Sequence, residues 1–472
     1  MPAPILKKVV FFVAAALLVG CSPSVTSTPP TTAPSPGASS ISPLPSTPAL
    51  SPTFYPLPSR SSTPNTVLYE KAPEQAGGGW EVASLAEAGI DPCPIEKMLQ
   101  SIYKGRESGD TPTLPNGSPK YQNIHGILIV KDGRLVFEEY FYNFTRKTNH
   151  DLASVSKSFT SLLVGLAIEQ GYLTSVQEKI LPHFPDYLPV LEQDARKESI
   201  AIEHLLTMQS GMDCDDWDPA SRTYYLNAQP DQADEIKSIL NYPMKTYPGS
   251  QFSYFTGGTS LLNALLITST KIGLPTFADR FLFQPLGIKD VLWDDSSEGW
   301  AYIDGISCML PRDMARIGLL MLQKGTWQGQ QVIPLAWIEQ STRKHVSLAF
   351  NETWGNGYGY LWWLSEAPVG GAVVRSFAAS GNGGQVIAIF PELQMVVVLT
   401  GGNNDENDKG QPFQIMEDFI LPAVLSPYKR SLSQGGSLGE NDAIGYWNDT
   451  RAPTTAKRRK AFIASFVLYC AS

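Results

Sequence analysis

Cysteine is scarce: five residues in a chain of 472 are too few for a disulfide scaffold to hold the fold. Charge is scarce too. Charged residues make up 17%, with 36 basic against 45 acidic and a net charge of -9. No stretch of the body offers the basic footprint that nucleic acid requires. The five histidines, His125, His150, His183, His204 and His345, stand isolated in sequence and lack the spacing of metal ligands. They read as packing or surface residues. Near each end lies an apolar run, Val9 to Val19 and Ala461 to Ala471, and neither reaches the ~20 residues of a membrane span. What is plentiful is core material. Hydrophobic residues form 43% of the chain, which fits a globular protein and excludes a disordered or fibrous one.

The 37 prolines are unevenly spread, and they mark the domain plan. Residues 1–21 read as an export signal: Lys7 and Lys8, the apolar run, then Leu18-Val19-Gly20-Cys21. The ending resembles a bacterial lipobox, which implies lipidation of Cys21. A plain secretory signal with a chance cysteine is the alternative. In residues 22–66, Ser, Thr and Pro fill 32 of 45 positions and Arg60 is the sole charge. Such a segment cannot bury enough apolar surface to offset its ordering entropy. It reads as a tether that reaches at most about 140 Å at ~3.1 Å per residue. The expected localisation is therefore exported, with a lipid anchor in the bacterial cell membrane and the body outside the cytoplasm. Residues 67–428 form the body, and residues 429–472 a tail expected to be poorly ordered.

Two hairpins bracket the body. The first runs Ile127–Val130, turns at Lys131-Asp132-Gly133 and returns through Arg134–Phe137; Asp-Gly between β-rich runs is a strong hairpin signal. The second joins Gln385–Phe390 to Met395–Thr400, with runs apolar enough to be buried on both faces. A mostly helical region lies between. The expected fold class is α+β: one antiparallel sheet built from both ends of the domain, flanked by helices, with a helical lobe. From Ser154 to Gln170, Val155, Phe159, Leu162, Leu163 and Leu166 trace one helical face. Gly171 is the expected stop, and small residues elsewhere on the helix predict burial all round.

That helix opens with Ser154-Val155-Ser156-Lys157, an S-x-x-K tetrad. Positions i and i+3 share a helical face, so the hydroxyl and the amine can meet. A serine hydroxyl attacks only when a base takes its proton, and a lysine can be that base when its surroundings hold it neutral. At a helix start, the Ser154 N–H is also free to meet a developing oxyanion. Four residues alone are equally a helix cap with a solvated lysine. Opening a buried helix shifts the reading towards chemistry, because a lysine there needs partners.

The stretch His150–Ser161 resembles the first motif of the serine β-lactamase and penicillin-binding-protein superfamily. The nearest branches are class C-like esterases of the family VIII type and 6-aminohexanoate-dimer hydrolases. Further stretches follow in order: Ile202–Met212, Pro248–Tyr254, Leu310–Arg316, and Gly381-Asn382-Gly383-Gly384-Gln385. The resemblance spans about residues 78–425 and implies a β-lactamase/transpeptidase-like fold. It implies Tyr254 as general base or proton shuttle beside Ser154 and Lys157, and the N–H groups of Ser154 and Asn382 as the oxyanion hole. Ser380, Gly381, Gln385 and Thr256 would border the substrate, with Trp217 as an aromatic wall.

Two departures are informative. The family's Tyr-x-Asn becomes Tyr254-Phe255-Thr256, and a hydroxyl cannot present the amide fork that holds a substrate carbonyl. Its Lys/His-Thr-Gly becomes Ala379-Ser380-Gly381, which removes the cation that grips a substrate carboxylate. The expected function is a membrane-tethered serine hydrolase of carboxylic esters or small amides, needing no cofactor or metal. A β-lactamase, a D-Ala-D-Ala carboxypeptidase and a non-catalytic sensor are the alternatives. Asp213, Asp215, Asp216 and Asp218 lack the regular spacing of a calcium loop and read as a loop lining the cleft. The segment Gly357–Trp363 reads as core or substrate wall. A Cys214–Cys308 bridge is possible in an oxidising compartment.

Overall fold

The computed structural model describes residues 72–75, 79–107, 121–188, 194–218, 220–221, 234–294, 305–348, 355–369, 372–403 and 410–426. The signal, the tether and the tail expected at residues 1–21, 22–66 and 429–472 lie outside the described residues.

The Asp-Gly signal forms as expected. β1 (Ile124–Lys131) and β2 (Arg134–Tyr140) are joined through Asp132 at φ 51° and Gly133 at φ 79°. Both turn residues have positive φ, the conformation of a two-residue hairpin whose twist matches its strands. A small sheet gathers β3 (His150–Asp151), β4 (Leu292–Trp293) and β5 (Ile306–Met309), in the order β3-β5-β4. Later in the chain the main sheet takes β6 (Val346–Ser347), β7 (Gly357–Tyr358), β8 (Trp363–Val369), β9 (Ala372–Gly381), β10 (Gln385–Phe390) and β11 (Met395–Gly401). Among the described residues the main sheet has eight strands, in the order β2-β1-β11-β10-β9-β8-β7-β6. Antiparallel pairing of β1 with β11, Leu128 opposite Val398 for instance, joins the two ends of the domain as the hairpins predicted.

Every residue of β10 and β11 is buried, because the sheet is covered on both sides. On one side Val386, Ala388, Val397 and Leu399 pack with α1 (Pro92–Glu107) and the helical residues 411–425. On the other, Ile387, Ile389, Val396 and Val398 join the larger core, which holds α2 (Val155–Glu169), α3 (Ile202–Leu206), α4 (Thr256–Thr270) and α5 (Pro311–Leu322). Burial on both faces removes the polar alternation a half-exposed strand would show. α2 is buried from Val155 to Ala167, and Gly171 follows at φ 75°.

β10 lies inside the main sheet, between β9 and β11. One expectation is corrected. Cys214 is a free, buried thiol, pushed up to about 12 chiefly by burial, so the Cys214–Cys308 bridge is not formed.

Candidate active site

The site begins with a strained turn. Ala153, between β3 and α2, has φ 44°, and its N–H donates to Asp151 Oδ1 at 2.9 Å. A non-glycine residue in this region costs about 1–3 kcal/mol and persists only where its surroundings hold it. The turn delivers Ser154 as the N-cap of α2. The Ser154 side chain does not cap its own helix. Instead, Lys157 Nζ donates to Ser154 Oγ at 2.9 Å. The i, i+3 spacing thus puts the two groups in contact, as the tetrad predicts. Lys157 is only 6% exposed, and its Nζ lies over the Tyr254 ring, 5.4 Å from the centroid.

Tyr254, 6% exposed, comes two residues before α4. Thr256, the first residue of that helix, is exposed. Trp217 stacks flat on Tyr254, with centroids 4.4 Å apart and an 8° interplanar angle. Trp363 completes the cluster, 5.9 Å from Tyr254 and 5.8 Å from Trp217, again nearly parallel. The segment Gly357–Trp363 therefore divides. Tyr358, Tyr360 and Trp362 are buried in the core, whereas half-buried Trp363 flanks Tyr254.

The end of β9 closes the site. A Cβ on Gly381 would lie 2.5 Å from the Leu152 carbonyl oxygen, 2.9 Å from Ser154 N and 3.0 Å from Val155 N. Only a residue without a side chain lets the strand come this close to the start of α2. Ser380 is half-buried beside it, and Asn382 is exposed in the turn to β10. Ala379, where the family motif carries a cation, is buried.

Gln385 departs from expectation. Its Nε2 donates to the Gly401 carbonyl at 2.7 Å, and its Oε1 accepts from Gly401 N–H at 3.2 Å. The amide is used at both ends to tie β10 to β11, and the residue is 2% exposed. It is a sheet clamp rather than a substrate contact. Its position just after the Gly383-Gly384 turn gave no signal of this, because strand partners are not written in local sequence.

The aspartates shape a loop. Asp213 pairs with Lys245 at 3.4 Å. Asp215 Oδ1 accepts from Trp217 N–H and Asp218 Oδ1 from Ala220 N–H, each at 2.9 Å. Asp216 Oδ2 accepts from Thr256 N–H at 2.7 Å. Among the described residues, no group of three or more His, Cys, Asp or Glu could hold a metal ion. His125 and His150, far apart in sequence, meet: Nδ1 of one lies 2.7 Å from Nε2 of the other. Burial first, and His150 second, lower His125 to about 4; burial also lowers His150. Sequence reasoning missed this pairing and the place of Trp363, since both depend on contacts between distant strands.

A family model described as Beta-lactamase matches residues 120–415. Among curated relatives, the 6-aminohexanoate-dimer hydrolase of Paenarthrobacter ureafaciens is 24% identical over 289 residues, covering 57% of this chain and 70% of the relative. The Beta-lactamase of Escherichia coli (strain K12) is 22% identical over 307 residues, covering 56% and 78%. Among solved structures, EstCE1, described as a hydrolase with promiscuous acyltransferase activity, superposes with a TM-score of 0.56 at 16% identity, covering 71% of this chain and 100% of that one. The antiparallel sheet with helices on both faces is thus the β-lactamase-like fold.

Proposed function

The chain belongs to the beta-lactamase family of hydrolases, and from that premise we propose that it is a serine hydrolase cleaving carboxylic esters or small amides through an acyl-enzyme on Ser154. The observation that carries this reading is the Lys157 Nζ to Ser154 Oγ contact at 2.9 Å, made beside the Tyr254 ring at a helix start.

In the proposed reaction Ser154 Oγ attacks the carbonyl carbon. Lys157 and Tyr254 together take the hydroxyl proton and pass it to the leaving alcohol or amine as the acyl–oxygen or acyl–nitrogen bond breaks. Water then attacks the acyl-enzyme, and the same pair returns a proton to Ser154. The N–H groups of Ser154 and Asn382 receive the negative charge of each tetrahedral intermediate; removal of one such donor costs about 10²–10³ in kcat in comparable sites. Ser380, Gly381, Thr256 and Trp217 border the substrate. No step calls for a cofactor or a metal.

Substrates rank as esters first, amides second and β-lactams third. A buried Ala379 in place of a cation, and Thr256 in place of an asparagine, leave a carboxylate-bearing β-lactam poorly held. A lipid on Cys21 and the Pro/Ser/Thr-rich residues 22–66 would hold the body outside the membrane that carries the anchor. The test is an ester, amide and β-lactam panel with Ser154→Ala as control. Turnover of p-nitrophenyl butyrate well above nitrocefin, lost in the variant, supports the reading; faster turnover of nitrocefin overturns the ranking.

A further inference from the structure

Three hydrogen bonds run between the loop that carries Trp217 and the segment that carries Tyr254. Ser253 Oγ donates to the Cys214 carbonyl oxygen. Asp216 N–H donates to the Tyr254 carbonyl oxygen at 2.8 Å. Thr256 N–H donates to Asp216 Oδ2 at 2.7 Å. Asp216 therefore grips the backbone on both sides of Phe255, once through its main chain and once through its carboxylate. Its carboxylate also satisfies a donor at the start of α4, where no side chain of the N-cap residue does so, and where negative charge is favoured.

The residue after Asp216 is Trp217, laid flat on the Tyr254 ring at 4.4 Å and 8°. Trp217 is 46% exposed, whereas the tyrosine beneath it is 6% exposed. Trp363 and the bond from the Trp217 N–H to Asp215 Oδ1 help to hold the indole, and the Asp216 bonds anchor the backbone beside it. Tyr254 is thereby held through its backbone by Asp216 and through its ring by Trp217. Lys157 Nζ, 5.4 Å from the ring centroid, meets a phenol confined to one orientation.

We propose that Asp216 is a positioning residue: it latches the Trp217 loop to the Tyr254–Thr256 segment and so fixes the phenol for proton transfer to the leaving group. The inference rests on the hydrolase reading above, in which Tyr254 helps carry that proton. A misplacement of about 1 Å in a catalytic constellation can cost on the order of 10²-fold. The loss falls on the step that needs the proton. An alkoxide leaving group requires protonation, whereas p-nitrophenolate departs without it.

The test compares ethyl butyrate with p-nitrophenyl butyrate on the intact protein. Both esters pass through the same butyryl-enzyme, so the readout is kcat/KM, which reports acylation. Asp216→Ala is expected to lower it about 30- to 100-fold on the ethyl ester and no more than about fivefold on the p-nitrophenyl ester, where Lys157, still in contact with Ser154 Oγ, takes the serine proton and the leaving group needs none. Asp216→Asn keeps an oxygen acceptor for Thr256 N–H and is expected to recover most of the loss. Equal losses on both esters, no loss on either, or an Asp216→Asn variant as impaired as Asp216→Ala would each overturn the proposal. Should Asp216→Ala not fold, Asp216→Leu, which keeps the side-chain volume and removes the acceptor for Thr256 N–H, carries the same test: the same split between esters is expected, and its absence overturns the proposal. A wild-type protein that hydrolyses neither ester removes the hydrolase reading itself, and this inference with it.

Discussion

Replacing Gly381 by alanine tests whether the end of β9 is seated on the start of α2. The new Cβ would stand 2.5 Å from the Leu152 carbonyl oxygen, 2.9 Å from Ser154 N and 3.0 Å from Val155 N. All three are backbone atoms, so no side chain can rotate out of the way. Strand and helix must part by about half an ångström to relieve the shortest contact. Overpacking of this kind costs about 1–3 kcal/mol, which for a large domain lowers Tm by roughly 2–10 °C. The turn that follows carries Asn382, and moving its N–H off the oxyanion position is expected to lower kcat at least about tenfold. Gly273→Ala is the control. Gly273 is exposed and a Cβ there meets nothing within 4 Å, so Tm and kcat should stay near wild type. The assays are thermal unfolding by circular dichroism and steady-state hydrolysis of p-nitrophenyl butyrate. A Gly381→Ala protein with wild-type Tm and kcat would refute the seating of β9 on α2.

Ala153→Gly removes the cost of a left-handed alanine at φ 44° and is expected to raise stability by up to about 1 kcal/mol, read as a higher Tm; a lower Tm contradicts a strained turn. Lys157→Met keeps the length of the side chain but removes the amine, and is expected to lower the acylation rate at least about 10²-fold with a near-normal fold; stopped-flow acylation checks this. The His125–His150 pair gives a pH dependence. His125 is held down to about 4 from an ordinary 6.5, so the unfolded chain binds more protons between those values. Stability is then full above about 6.5 and falls as pH drops towards 4, by about 2–4 kcal/mol if His125 alone acts. His125→Phe should flatten that slope in Tm-against-pH scans; an unchanged slope contradicts the assignment.

Much of this was legible because the signals are local. Asp132-Gly133 specifies its hairpin within two residues. The apolar spacing from Val155 to Leu166 specifies α2, and the helical pitch alone brings Lys157 to Ser154. The continuous apolar runs of β10 and β11 announced strands buried on both faces. What escaped depends on tertiary contact. Gln385 looked like part of a substrate-facing motif until its amide met Gly401 across two strands. Asp216 was one of several loop aspartates, and its place at the start of α4 follows from a bond spanning 40 residues. Trp362 and Trp363 are adjacent, yet at the start of β8 the first packs in the core and the second flanks Tyr254. Compartment alone suggested a partner for Cys214, but the loop folds that thiol into the core.

The most direct measurement is the site of covalent modification. The intact protein is treated with a fluorophosphonate, digested and mapped by mass spectrometry. The account predicts one stoichiometric adduct on the peptide containing Ser154, absent from Ser154→Ala and slowed in Lys157→Met. A folded wild-type protein that takes up no adduct, or takes it up on another serine, would contradict the claim that Ser154 is the nucleophile.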